Sequence, residues 1–286
     1  MRSEIIKITD ADYYADKYGD KPNLHYSTAA TIINESPLHA YHSHARLGGN
    51  RSEPTAPQDD GNAFHNLLLE GGVGIQMIDA DNYQTKAAKE ARDAARAEGR
   101  LPVIRRKLED LMTAAEAVRR RLRDDFGILL DGQSEVPIAW DEPTTIGPVS
   151  CLGKLDHLKV NIGDILDVKT TSGAVTVDAC QRRIYDAGYD IQASAYTSAI
   201  EKLMPHLAGR VRFVFLFVEL TAPYAVTPLV PSGALRQLGD LRWKRACETW
   251  ARCLKTNTWP GHVTEITRVE AMPWALTKEM DHDANV

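Results

Sequence analysis

The sequence predicts an α/β fold: a central mixed β-sheet flanked by helices, with a helical region on its N-terminal side. Three observations carry this. Helical patterns dominate up to residue 126, strand character follows over 134–170, and helices, a strand and a helix then succeed one another to residue 255. Residues 211–218 (Val-Arg-Phe-Val-Phe-Leu-Phe-Val) are apolar on both faces, as a strand covered on both sides must be. Residues 102–126 repeat Leu108, Leu111, Met112, Ala115 and Val118 at helical spacing.

Residues 1–26 are polar and punctuated by Tyr13, Tyr14, Tyr18 and Tyr26. Ser27 or Thr28 is placed to cap a helix through Ala29, Ile32 and Ile33, which Pro37 breaks or restarts before Ala40-Tyr41-His42. Residues 47–60 are rich in Gly, Pro and Asp and read as a loop, followed by a helix over 62–70 that Gly71-Gly72 ends. Residues 86–99 carry alternating charges among alanines, as a solvated helix does. Strands are expected at 134–140, 149–160 and 164–170, and helices at 175–187 and 189–203. A strand at 211–218, a shorter one at 224–230 and a helix over 232–255 close the core, and the tail beyond Trp259 reads as irregular. The expected organisation is a single domain over 1–286: a mainly helical part (1–130), a sheet core (131–260) and a tail (261–286). No internal repeat or low-complexity linker interrupts it.

Composition excludes several classes. An apolar content of 43% is ordinary for a globular chain, and no apolar run reaches membrane-spanning length. Met1-Arg2-Ser3-Glu4 lacks the layout of a signal peptide, so a cytoplasmic protein is expected, with no membrane partner. Cys151, Cys180, Cys247 and Cys253 are scattered with no Cys-x-x-Cys pair, which argues against a zinc ribbon and for reduced, buried thiols. The formal charge of −5 does not advertise nucleic-acid binding, although a local basic groove binds DNA on an acidic protein.

The chemistry concentrates in Gly153-Lys154-Leu155-Asp156 and Ile165-Leu166-Asp167-Val168-Lys169-Thr170-Thr171. Strand side chains alternate, so Asp167 and Lys169 share a face. Asp156 joins them in some hairpin registers. A two-residue loop of Asn161-Ile162 sets Asp156 opposite Asp167, and one of Ile162-Gly163 sets it opposite Lys169; a three-residue loop sends it to the other face. A carboxylate inside an apolar strand is costly unless a cation meets it. Paired carboxylates beside an amine suit a hard cation and the charge that develops near it.

Further residues fall into an ordered pattern: Gly61-x-x-x-His65-x-Leu67-Leu68-Leu69-Glu70, Gly153-x-x-Asp156, Asp167-x-Lys169-Thr170-Thr171, and Gln192-x-x-x-Tyr196, whose ends share a helix face. With Ser36-Pro37 and the charged 89–99 segment, this pattern resembles the RecE-like family of phage and prophage exonucleases, within the PD-(D/E)XK superfamily and its RecB-like nuclease domains. The resemblance runs from Ser27 to about Tyr196; beyond residue 210 only a generic strand–helix completion remains.

The resemblance implies a restriction-endonuclease-like core and a magnesium-dependent deoxyribonuclease, with manganese able to substitute. It implies that Asp156, Asp167, the Val168 carbonyl and His65 hold the metal. Lys169 would orient or help deprotonate the attacking water and offset phosphate charge, while Gln192 and Tyr196 would support the site and touch the DNA backbone. Glu135 is a candidate for a supporting or second-metal role. Arg92, Arg105, Arg106, Arg182 and Arg183 are candidate phosphate contacts, in company with Lys86, Lys89, Arg96 and Arg100. The activity implied is 5′-to-3′ digestion of double-stranded DNA in support of recombination, in a bacterial host or phage-infected cell. A single-strand annealing recombinase is the implied partner, and a ring-shaped homo-oligomer the implied assembly. The rival readings are an endonuclease or flap nuclease on the same fold, a catalytically silent DNA-binding or assembly module and, more distantly, a hydrolase of small phosphate esters.

Overall fold

The computed structural model describes residues 2–50 and 56–283. Its elements, in chain order, are β1 (Ser3–Ile5), α1 (Asp10–Tyr14), α2 (Tyr26–Asn34), α3 (Pro37–Ser43), α4 (Ala56–Glu70), β2 (Ile75–Ile78), α5 (Lys86–Ala97), β3 (Leu101–Ile104) and α6 (Arg105–Phe126). The core continues with β4 (Gln133–Glu142), β5 (Val149–Lys159), β6 (Asp164–Thr171), α7 (Val177–Asp186), α8 (Tyr189–Leu203), β7 (Arg212–Glu219), β8 (Val226–Leu229), α9 (Gly233–Thr256) and α10 (Pro273–Asp283).

The main sheet has six strands in the order β1-β4-β5-β6-β7-β8. Its pairings are antiparallel except β6 with β7, which run parallel because α7 and α8 carry the chain across between them. The predicted mixed sheet flanked by helices is therefore the observed one.

Strand alternation sorts the core into two layers. Ile165, Phe213, Phe215 and Phe217 face α2, α8 and α9, where Trp140, Tyr196, Trp243 and Trp250 complete one cluster. Leu166, Val168, Val214, Leu216 and Val218 face the opposite way onto Phe64, Leu67 and Leu68 of α4 and Leu111, Ala115, Val118 and Leu122 of α6. This two-sided burial is why β7 has no polar alternation. Phe215 and Phe217 are almost wholly buried, and each such side chain contributes roughly 1.5–3 kcal/mol.

Several local expectations are corrected. Helix α2 starts two or three residues earlier than a Ser27 or Thr28 cap implies; His25 is the N-cap, without a side-chain hydrogen bond. Pro37 does restart a helix, with Ser36 capping it through the His39 N–H. The loop expected over 47–60 is shorter, since α4 begins at Ala56; residues 51–55 lie outside the described residues. Residues 102–104 are strand rather than helix, because β3 pairs in parallel with β2 in a separate two-stranded sheet. The short β1 and α1 and the tail helix α10 fall where no regular element was expected.

Polar contacts fix the layers. Arg119 of α6 donates to the Leu67 and Leu68 carbonyls, two of the open carbonyls at the end of α4. Asp190 on α8 is fully buried and takes both hydrogen bonds from the Arg242 guanidinium of α9, which also reaches Asn34 of α2. Replacing Asp190 by Ala leaves that guanidinium buried and unpaired, so the expected loss is about 3 kcal/mol in urea unfolding. A loss below about 1 kcal/mol is the value of an exposed pair, and would show that the pair does not hold these helices together.

Candidate active site

The β5–β6 hairpin sets the site. Its pairs are Lys159↔Asp164, Leu158↔Ile165 and His157↔Leu166, joined by a turn over 160–163 in which Gly163 is left-handed (φ 73°). One further step of this register puts Asp156 across from Asp167, as an Asn161-Ile162 loop implies, although the turn is four residues long. The ladder ends there because the Asp156 carboxylate replaces a backbone carbonyl: the Val168 N–H donates to its Oδ2 at 2.8 Å.

On the other side of β5, Ser134 pairs with His157 and Val136 with Leu155, which brings Glu135 opposite Asp156. Glu135, Asp156 and Asp167 thus form one row across β4, β5 and β6. Glu135, the third residue of β4, holds a left-handed backbone (φ 51°), a conformation that costs on the order of 1–3 kcal/mol for a residue with a Cβ.

His65 comes in from α4, whose Phe64, Leu67 and Leu68 are pinned in the core. Its Nδ1 lies 3.6 Å from Asp156 Oδ2, and its ring donates a hydrogen bond to the Val168 carbonyl. Among the described residues, one ligand atom from each of His65, Glu135 and Asp156 lies within 4.8 Å of the other two. Glu135 is thus nearer the centre of the site than a supporting residue. Asp167 turns slightly away. Its Oδ1 accepts from Gln192 Nε2 at 2.7 Å, and its Oδ2 lies 2.8 Å from Lys169 Nζ.

Electrostatics follow from burial. It pushes the Asp156 and Asp167 carboxyls up to about 6; Lys169 opposes this for both, while Glu135 adds to the rise at Asp156 and Asp156 to that at Asp167. Burial, with Lys169 adding to it, holds the His65 imidazole below its ordinary range and therefore neutral. Burial also opposes charge on Lys169, but Asp167, Tyr26 and Asp156 together outweigh it and raise the group. The Lys169 ammonium is further held 4.3 Å from the Tyr189 ring centroid.

A divalent cation fits these residues. Gln192 Oε1 is buried without a hydrogen bond, and the donors that converge are oxygens with one imidazole. His65, Glu135 and Asp156 would hold the ion, with Asp167 and the Val168 carbonyl adjacent.

The site opens into a cleft of about 840 Å³ lined by His65, Glu135, Asp156 and Lys169 together with Tyr13, Tyr14, Tyr26, Asn62, Glu70 and Arg100, while Asp167 lies buried behind it. Gln192 and Tyr196 line it too, but they are 2% and 1% exposed. Their observed contacts are within the site: Gln192 donates to Asp167, and the Tyr196 hydroxyl accepts from the Lys154 N–H at 3.4 Å. A Cβ at Gly153 would sit 2.5 Å from the Tyr196 ring, so the glycine makes room for it.

The candidate DNA-binding arginines are not brought to the site. Arg92 pairs with Asp93, Arg105 with Asp79, and Arg183 donates to the Ala174 carbonyl. Arg106 and Arg182 are exposed, and none of the five lines the cleft. Its basic side chains among the described residues are Arg100, Lys154 and Lys169.

Lys154 and Tyr26 escaped sequence reasoning; Lys154 had a signal, since two positions from Asp156 on a strand is the same face. A second cluster, Asp16, His25 and His44, has metal-like spacing, but its polar atoms are largely used: Asp16 accepts both Asn23 donors, and His44 bonds the Asn23 carbonyl and the Arg46 N–H. It ties the N-terminal segment down.

A family model described as a PDDEXK-like domain of unknown function (DUF3799) matches residues 33–271. The chain belongs to this family. The match agrees with the superfamily expected from the Asp156, Asp167 and Lys169 pattern, and leaves the RecE-like subgroup open. A crystal structure from Eubacterium rectale, provisionally described as an exonuclease, superposes with a TM-score of 0.60 at 12% identity, covering 95% of this chain and 98% of that one. A phage-related exonuclease from Haemophilus somnus 129PT gives a TM-score of 0.35 at 12% identity over 85% of this PDDEXK-like chain and 99% of its own. At 12% identity the likeness to the Eubacterium rectale structure is one of fold. No curated protein matches the sequence. No described helix is long and apolar enough to cross a membrane.

The raised Asp156 carboxyl has a consequence for stability. A carboxyl whose folded value, about 6, exceeds its unfolded one favours the folded state at low pH, and that contribution is lost as pH rises through about 6. Asp156→Asn keeps an oxygen acceptor for the Val168 N–H and removes the charge. Without metal, it should stabilise the protein at pH 8 by on the order of 1 kcal/mol, with the gain fading toward pH 4. A melting temperature at pH 8 below that of the unsubstituted protein would refute the cost of burying the Asp156 charge.

Proposed function

We propose that this PDDEXK-like chain is a divalent-metal-dependent deoxyribonuclease, and that it digests double-stranded DNA from its ends in the 5′-to-3′ direction. The observation that carries the nuclease reading is the row of Glu135, Asp156 and Asp167 across adjacent strands, with His65 and Lys169 against it, in an open cleft. The exonuclease reading and its polarity rest on the RecE-like motif order, with the provisional description of the Eubacterium rectale fold relative alongside.

The donor set of carboxylates with one imidazole suits magnesium, with manganese as a substitute. Bound there, the metal would supply Lewis acidity toward the scissile phosphate and lower the pKa of a bound water.

The chain's own groups do the rest. Asp156 and Glu135 present oxygens to one point, and the neutral His65 presents a nitrogen. Gln192 holds Asp167 in one rotamer through its Oδ1. Lys169 stays protonated, so it acts as a fixed positive charge that orients the attacking water and offsets charge on the phosphate, rather than as the base. Arg100 at the cleft wall supplies a backbone contact without reading sequence.

Substitution tests the machinery. Asp156→Ala or Asp167→Ala should lower the rate on linear duplex by on the order of 10³-fold, about 4 kcal/mol of transition-state stabilisation, with the fold retained by circular dichroism. Lys169→Ala should bind duplex almost normally in a filter or anisotropy assay yet turn over very slowly. Wild-type rates from either Asp variant would sink the assignment.

Substrate topology tests the exonuclease reading. Linear duplex with magnesium should be degraded from 5′ ends to short products, while covalently closed circles survive and a chelator stops the reaction. Raising salt should slow it as phosphate contacts are lost to counterions. Cutting of closed circles points instead to an endonuclease, and no metal-dependent cleavage of any duplex, flap or single strand points to a silent DNA-binding module.

A further inference from the structure

Lys154 stands two residues before Asp156 on the same face of β5, and the paired register sets Pro137 across from it on β4. Its ammonium lies 2.6 Å from the Glu135 carboxylate and 3.1 Å from Asp10 of α1. The ring centroids of Tyr13 and Tyr14 are 5.9 and 5.7 Å away. The side chain is only 16% exposed, so this is a positioned group and not a waving surface lysine.

Glu135 thus has two claims on it. It is one of the three residues whose ligand atoms converge with those of His65 and Asp156, and it is the partner of Lys154. A carboxylate that draws a dication close cannot keep an ammonium in the same place without strong repulsion between the two cations. The left-handed backbone of Glu135 sharpens the conflict, because such a conformation persists only where its surroundings hold it. The Glu135 carboxylate meets the Lys154 ammonium at 2.6 Å.

We infer that Lys154 is a tethered counter-ion that bridges Glu135 and Asp10 until a divalent cation takes Glu135 over, and that Asp10 with the Tyr13 and Tyr14 rings, which the ammonium already touches, is the seat that then keeps it. This rests on the metal-site reading above and gives the N-terminal segment a part in it. The seat suits an ammonium: a carboxylate and two aromatic rings attract a cation already within reach. The displaced Lys154 remains in the cleft wall, beside the row of carboxylates. Lys154 is a positioning residue acting through Glu135, distinct from Lys169, which pairs with Asp167.

The test is the calorimetric affinity of the full chain for calcium, a hard dication measured without any DNA present. Lys154→Met should tighten calcium binding about ten-fold, because the competitor is gone. In a Glu135→Gln background the same substitution should change affinity by less than about two-fold, because there is no longer a shared carboxylate to contest. Asp10→Asn should weaken binding, since the displaced ammonium loses its seat; this variant has the opposite sign and keeps the inference testable if Lys154→Met folds poorly. Lys154→Arg should stay close to the unsubstituted protein. Unchanged or weaker binding by Lys154→Met overturns the inference, and so does equal tightening in the Glu135→Gln background, which is the mark of general charge repulsion. If the unsubstituted chain binds no divalent cation, the metal-site reading itself fails and takes this inference with it, a result separate from the other two.

Discussion

Like charge across neighbouring strands is the constraint around which this molecule is arranged. Glu135, Asp156 and Asp167 stand in one row of the sheet, where opposed like charges destabilise a strand pair. Each is met by a different device. Asp167 has Lys169 and Gln192, Asp156 has the Val168 N–H and the neighbouring His65, and Glu135 has Lys154. Burial, with the like charges adding to it, still leaves the Asp156 and Asp167 carboxyls raised. A site that pays in stability for unrelieved negative charge is one preorganised for a cation.

The surrounding fold serves that row. The parallel β6–β7 pairing buries the strand bearing Asp167 and Lys169 at the centre of the sheet, and α8 crosses over it with Gln192 and Tyr196. Helix α4 delivers His65 from the opposite layer, held at its end by Arg119. The Asp190–Arg242 pair and Asn34 tie α8, α9 and α2 into one wall. The N-terminal segment, anchored through Asp16, Asn23 and His44, brings Asp10 and the tyrosines to the cleft.

Membership of a PDDEXK-like family of unknown function fixes the fold and leaves the chemistry to the site. The Eubacterium rectale relative shares the architecture along nearly all of both chains at 12% identity. So few shared side chains are enough because the sheet needs only its alternating apolar pattern, while the reaction needs a handful of groups at fixed strand positions.

Much was legible in the sequence because it is local. The two-sided apolar run gave β7, the 3.6-residue period gave α6, and the alternation on β6 placed Asp167 and Lys169 together. The spacing of the carboxylates left the hairpin register open, and only the observed pairing put Asp156 across from Asp167. What the tertiary structure decided depends on distant partners. Glu135 moved from the margin to the ligand cluster because β4 pairs with β5, and Lys154 gained a role because α1 folds back onto it. None of the five arginines expected to hold DNA lines the cleft: Arg92 and Arg105 pair with Asp93 and Asp79, Arg183 bonds a backbone carbonyl, and Arg106 and Arg182 are exposed elsewhere, a placement that no count of charges along a chain reveals. Periodicity fixes which way a side chain points; which group it meets is set by pairings across the sheet and between layers.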